Sequence, residues 1–178
     1  MASPPERTLH EPLRVIRLHH PSFAALNASG AQLYGGRWNS PGGSIVYAAL
    51  TYGGAILETR VHANADRPPP REISAITIPA GVRISEIYAH DLPGWDDDNQ
   101  IASRRAGNTW IAAGNTVALV VPSRAAAPLE RNVVINLAHP DTKRLRVESL
   151  GAVPWDLRLF VAPRAKPARR SPSPRRKK

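Results

Sequence analysis

The chain has 178 residues, 42% of them hydrophobic, which suits one domain with a real core. Its formal charge of +10 is uneven: eight of the 24 basic residues fall in 164–178, leaving 16 against 14 acidic ones in the body. No cysteine is present, which excludes disulfides and thiolate metal sites and fits a reducing cytoplasm, and no apolar run reaches the ~18 residues of a membrane span.

Residues 1–12 lack the apolar stretch of a secretory signal and read as an N-terminal extension. Leu13 to Leu18 alternates apolar and basic residues, which predicts an opening strand. Pro21 to Ala28 predicts a short helix with Ser22 as its cap, and Asn27 to Gly36 is turn-rich. Ser40 to Ser44 is a further turn, punctuated by Pro41-Gly42-Gly43. Ile45 to Ala49 reads as a short buried strand. Thr51 caps a predicted helix over 52–63, whose glycines 53 and 54 fall in the first turn, where they allow close approach of another segment.

Asp66 to Pro70 reads as a loop. Strands are predicted at Glu72 to Ile78 and Val82 to Ile87, around the turn Pro79-Ala80-Gly81. Asp96-Asp97-Asp98 opens a predicted helix with negative charge at its positive end, running to Ala113 and stopping at Gly114. Thr116 to Val121 is an apolar strand ending at Pro122. Val133 to Leu137, Leu145 to Glu148 and Asp156 to Val161 read as further strands. Short strands with two or three helices, in no strict alternation, indicate an α+β domain over 13–162. Residues 163–178, with prolines among the basic residues, read as a disordered tail. Such a tail suits nucleic-acid contact by phosphate neutralisation, and equally suits a solubilising end with no partner.

Several residues carry chemistry. Arg37 follows Gly35 and Gly36 in the loop Gly35-Gly36-Arg37-Trp38-Asn39, where the glycines let a ligand approach and a guanidinium can hold a diphosphate bidentately. Tyr47 lies in a strand of small apolar residues and suits either the core or stacking on a planar base. Glu58 sits among Ala55, Ile56, Leu57 and Val61, so its carboxylate is expected to be partly buried and to need a partner or a role. Ser123 closes the apolar strand at Pro122, where loops held by a rigid scaffold gather function. Asn132 and Asn136 bracket Val133-Val134-Ile135. An amide there suits a ligand or backbone groups alike. A cation, an aromatic and a carboxylate in one cleft suit cleavage of a nucleotide's glycosidic bond. The six histidines offer no metal constellation, so no metal is expected. No phosphate-binding Gly-x-x-x-x-Gly-Lys loop, Gly-x-Gly-x-x-Gly fingerprint or Gly-x-Ser-x-Gly elbow is present.

Together these residues resemble the RES-domain family, the toxins of Res–Xre toxin–antitoxin pairs. The resemblance runs from about Arg14 to Phe160. It rests on the Gly35 to Asn39 loop, Val46-Tyr47, Ala55-Ile56-Leu57-Glu58, Val121-Pro122-Ser123, the segment Asn132 to Asp141, which is similar to the family's Asn-x-x-x-Asn-x-x-His-Pro, and Trp155-Asp156-Leu157-Arg158-Leu159. Leu137 departs from the pattern, standing where the family more often has proline.

The resemblance implies a fold similar to ADP-ribosyltransferases, a split β core around an NAD cleft. It implies NAD as substrate, broken to nicotinamide and ADP-ribose or its phosphorylated equivalent. The alternative within the same site is transfer of ADP-ribose to a protein, and a more distant one is a nucleic-acid-binding accessory role for the tail. The family's named residues would be Arg37, Glu58 and Ser123. Arg37 would anchor the diphosphate, Tyr47 would pack on the nicotinamide ribose or ring, and Ser123 and Asn136 would fix the nicotinamide end or the attacking group. Glu58 would stabilise positive charge on the ribose. A helix-turn-helix antitoxin of the Xre type is the implied partner. The oligomeric state is left open, a homodimer within that complex included.

Overall fold

The computed structural model describes residues 4–63 and 69–160. Eight strands form one mixed sheet: β1 (Glu6–Thr8), β2 (Leu13–His19), β3 (Ile45–Ala49), β4 (Glu72–Ile78), β5 (Arg83–Glu86), β6 (Ala118–Pro122), β7 (Arg131–Asn136) and β8 (Arg146–Ala152). Three α-helices flank it: α1 (Ser29–Tyr34), α2 (Tyr52–His62) and α3 (Ile101–Ala113). The spatial order is β1-β5-β6-β7-β3-β2-β4-β8, antiparallel except for the β5–β6 pair.

The sheet has a weak seam. β2 pairs with β4 from Leu13↔Ile78 to His19↔Glu72, and β3 pairs with β7 from Ile45↔Asn136 to Ala49↔Asn132. Between β2 and β3 only Ile16↔Ala49 pairs. The sheet therefore splits into a β1-β5-β6-β7-β3 half and a β2-β4-β8 half, and the chain is α+β with a split β core.

Both halves feed one core, in which Val15, Ile76 and Ile78 meet Val46, Val120, Val133 and Ile135. The other face of β3, β6 and β7 packs Ile45, Leu119, Val121 and Val134 against Ala106 and Trp110 of α3. Covered on both faces, β3 and β6 read as continuous apolar runs rather than as alternation. Ala55 of α2 packs on Ile16, Ala49 and Ala75, across the seam. Thr51 caps α2 as expected, its Oγ1 accepting from Gly54 N at 2.9 Å. A Cβ on Gly54 would lie 3.4 Å from that of Ala49, so the glycine lets α2 settle on β3.

Several expected elements differ. The segment 21–28 is a series of turns, and the helix follows at Ser29–Tyr34, inside the stretch read as turns. Ser22 caps nothing; its N–H donates to His20 Nδ1. Asn27 lies just ahead of α1, its Oδ1 accepting from Ser29 N at 3.0 Å, while Arg17 holds the Asn27 carbonyl at 3.0 Å. Asp96 to Asp98 precede α3 instead of opening it. Gln100 adopts φ 58°, a left-handed conformation that a helix interior does not admit, and Asn99 Oδ1 receives Ile101 N. Gly114 ends α3 as expected, at φ 60°.

The strand expected over 156–161 is a 3-10 turn at Leu157–Phe160, fixed by Asp156 Oδ1 accepting from Arg158 N and by Arg60 donating to the Leu159 carbonyl. Val161 lies outside the described residues, as do 66–68 of the expected loop and all of the tail 163–178. The sheet also reaches into the segment 1–12, where β1 pairs with β5 from Glu6↔Ser85 to Thr8↔Arg83. No described helix is long and apolar enough to cross a membrane.

Candidate active site

A cleft of about 870 Å³ opens at the seam, lined by Ile16 and Leu18 of β2, Tyr47, Ala48 and Ala49 of β3, and Glu58, Thr59 and His62 of α2. Arg37, Arg71, Gln100, Arg124 and Asn132 add to its polar lining. This volume lies at the upper end of the ~300–1,000 Å³ typical of small-molecule sites, room for a dinucleotide.

The Arg37 loop is built to be rigid. Gly35 adopts φ 71°, and a Cβ there would sit 2.8 Å from Asn39 O. Gly36 N donates to Asn39 O at 2.9 Å, and a Cβ on Gly36 would strike the Tyr47 hydroxyl at 2.7 Å. That hydroxyl accepts from Trp38 N at 3.1 Å and donates to Asn39 Oδ1 at 2.8 Å. Burial raises the Tyr47 pKa, so it stays a neutral phenol. From below, α3 grips the loop: Asn108 accepts from Ser40 N at 2.9 Å and donates to Ser40 Oγ at 2.8 Å, and Gly107 leaves room for the Trp38 carbonyl. Trp38 also stacks on Trp95 at 6.5 Å.

That stack holds residues 95–98 beside Arg37. Arg37 Nη1 donates to the carbonyls of Trp95 (2.9 Å) and Asp97 (3.0 Å). Asp98 pairs with Arg124 at 2.7 Å. The Asp96–Asp98 run thus serves the arginines, not a helix start. The Arg37 pKa is lowered by burial and by the charge of Arg124, with Asp96, Asp98 and Glu58 acting the other way. Two guanidiniums held close in the lining of an open cleft suit an anion.

Glu58 projects from the same face of α2 as Gly54 and Ala55, one turn on. Its Oε1 accepts from Ser123 Oγ at 2.7 Å and from Asn132 Nδ2 at 2.6 Å. Its Oε2 lies 4.0 Å from His62 Nε2. One carboxylate oxygen is therefore locked, and Glu58 itself lines the cleft. Asn132 Oδ1 is buried with no partner among the described residues, an acceptor in want of a donor.

Of the residues singled out in the sequence, Arg37, Tyr47 and Glu58 line the cleft. Ser123 stands behind Glu58, 1% exposed, its Oγ also accepting from Ala126 N at 3.2 Å. It orients the carboxylate and is not part of the lining. Asn136 is not brought to the cleft. It sits four residues along β7 from Asn132, roughly 13 Å away, where its Oδ1 accepts from Ala138 N and closes a turn. The asparagine at the site is Asn132, whose register partner Ala49 ends β3 at the cleft. Arg124, Arg71 and the α3 grip also went unread. The only sequence signal for them was the position of Arg124 beside Ser123. Among the described residues no cluster of three or more His, Cys, Asp or Glu could hold a metal ion.

Fold and cleft together define an α+β protein with a split sheet and, at the seam, a cleft lined by arginines and one oriented carboxylate. Compared with known proteins, the RES domain profile matches residues 11–157. The chain belongs to the RES-domain family. It is 38% identical over 140 residues to the "Prs ADP-ribosylating toxin" of Sphingobium sp. (strain YBL2), covering 76% of this chain and 86% of that one. It is 31% identical over 142 residues to the "Toxin Res" of Pseudomonas putida KT2440, covering 78% and 95%. A chain in the crystal structure of the M. tuberculosis MbcT–MbcA toxin–antitoxin complex has the same fold, with a TM-score of 0.63 over 81% of this chain and 87% of that one at 15% identity.

Proposed function

We propose that this chain is a toxin that cleaves the nicotinamide–ribose bond of NAD and is held in check by a cognate antitoxin, for which a helix-turn-helix protein of the Xre type is the candidate. The observation that carries the reading is the placement of Glu58. One of its oxygens is fixed by Ser123 and Asn132, while the carboxylate faces a cleft whose nearby guanidiniums suit a diphosphate.

The chemistry follows from that placement. The C1′–N bond breaks with its electron pair leaving on the nicotinamide nitrogen, so the leaving group departs neutral and needs no general acid. Positive charge develops on the ribose, as in glycoside hydrolysis. Glu58 Oε2 stabilises that charge and accepts from a ribose hydroxyl. Ser123 and Asn132 keep the carboxylate aimed. Arg37 and Arg124 bind the diphosphate and fix the dinucleotide, which supplies the entropic part of catalysis. Tyr47 holds the Arg37 loop through its hydroxyl and offers its ring to the ribose end. The ribosyl cation is then captured by water, phosphate or a protein nucleophile, which gives up its proton.

Capture by a protein is the second reading, favoured by the 38% identical relative, which is named an ADP-ribosylating toxin. Purified chain should release nicotinamide from NAD. With NAD labelled on the adenylate and cell extract present, label on a protein band marks transfer, and label in small products alone marks hydrolysis or phosphorolysis. Glu58→Gln keeps the size of the side chain and should lower kcat by a factor on the order of 10²–10³. A folded Glu58→Gln protein with wild-type turnover would remove Glu58 from the mechanism.

A further inference from the structure

Three guanidiniums line the cleft, and they differ in where they stand and in what holds them. Arg37 and Arg124 belong to the β3-side half and are close enough for the charge of one to act on the other. Each is also engaged, Arg37 by two carbonyls and Arg124 by Asp98. Arg71 stands just before β4, on the other half of the split sheet, its carbonyl accepting from Val153 N at 2.9 Å. His62 at the end of α2, and Pro69 and Arg71 just before β4, line it as well.

The Arg71 side chain has no hydrogen-bond or ion-pair partner among the described residues. Burial lowers its pKa, and no carboxylate among the described residues offsets that effect. A half-buried cation without a counter-ion is costly to keep, and an anionic ligand removes the cost. In the reading above Arg37 and Arg124 take the diphosphate of a dinucleotide, so a further anion is the group left for Arg71.

We propose that Arg71 forms a second phosphate subsite in the cleft, apart from the diphosphate site, for a phosphate dianion. Resting on the dinucleotide reading above, that dianion has two sources: the 2′-phosphate of NADP, or free phosphate acting as the acceptor. In the latter case a phosphate oxygen bonds to C1′ as the C1′–N bond breaks and nicotinamide carries off the electron pair.

The test is calorimetric binding of NAD, NADP and inorganic phosphate to the full chain, as wild type, Arg71→Ala and Arg71→Lys. Arg71→Ala should weaken NADP or inorganic phosphate about tenfold or more, with NAD within about twofold. Arg71→Lys should recover part of the loss as a point charge. Loss confined to NADP identifies the 2′-phosphate, and loss confined to inorganic phosphate identifies the acceptor. Equal weakening of NAD and NADP, or no change in any ligand, overturns the subsite. Wild type that binds inorganic phosphate through Arg71 but neither dinucleotide refutes the NAD reading and leaves the subsite standing. Wild type that binds NAD, with neither NADP nor inorganic phosphate depending on Arg71, does the reverse.

Discussion

Gly107 is the residue on which the Arg37 loop depends most sharply, although it lies in mid-helix and does not line the cleft. A Cβ built there would lie 1.8 Å from the Trp38 carbonyl oxygen and 2.7 Å from its carbon. Both are backbone atoms, so no side-chain rotation relieves the clash, and the 36–39 loop must retreat by roughly 1.5 Å to regain ordinary contact. Two effects oppose each other in Gly107→Ala. Helix propensity favours alanine by about 1 kcal/mol, while forcing a methyl into a filled space costs about 1–3 kcal/mol. The clash should prevail, with a net loss of up to about 2 kcal/mol and a Tm lower by up to about 8 °C. Activity should fall further than stability does. Arg37 rides on this loop, and a displacement of about 1 Å at a positioning group costs on the order of 10²-fold in rate. The assay is nicotinamide release together with thermal unfolding, with Gly30→Ala as control because a Cβ at Gly30 meets nothing within 4 Å. A Gly107→Ala protein with a raised Tm and unchanged kcat/KM would refute the role given to α3 in holding the loop.

Two further outcomes follow from the same geometry. Asn132→Ala should lower turnover about tenfold or more by releasing Glu58 Oε1, whereas Asn136→Ala should cost stability of about 1 kcal/mol and leave kcat/KM of the folded protein intact; the opposite ranking in a turnover assay would return Asn136 to the site. Burial acts to raise the Glu86 pKa, but hydrogen bonds from Tyr88 (2.6 Å) and Arg7 (2.7 Å) and the charge of Arg131 outweigh it, so the carboxyl is held below its usual range. A depressed carboxyl stabilises the fold above its unfolded pKa of about 4.3, and that stability is lost as pH falls through the lower folded value. Glu86→Gln should therefore be less stable by about 1.5–3 kcal/mol at pH 7, with the gap to wild type narrowing below about pH 4; denaturant unfolding at both pH values checks this, and a gap independent of pH would contradict it.

The sequence by itself determined the elements that local chemistry specifies. Thr51 could be read as a cap because its hydroxyl needs only the N–H three residues on, and Gly114 as a stop because only its own backbone must turn left-handed. The apolar runs at 45–49 and 118–122 followed from burial on both faces. Arg37, Tyr47 and Glu58 were legible because a glycine-flanked arginine, an aromatic in a strand and a carboxylate on an apolar helix each need an explanation locally. What failed had causes remote in sequence. Asp96 to Asp98 resembled a helix start, but Arg37, some sixty residues before, claims the Asp97 carbonyl, and Arg124, twenty-six after, claims the Asp98 carboxylate. β8 exposes every residue along an edge, so it carries no alternation to mark its extent. Asn132 and Asn136 are the same residue type, four apart on one strand. Only the register that sets Asn132 against Ala49 at the seam, and Asn136 against Ile45 away from it, decides which one reaches Glu58. The site exists because a sheet with a single β2–β3 pair opens there, and no local stretch of sequence encodes where two strands decline to pair.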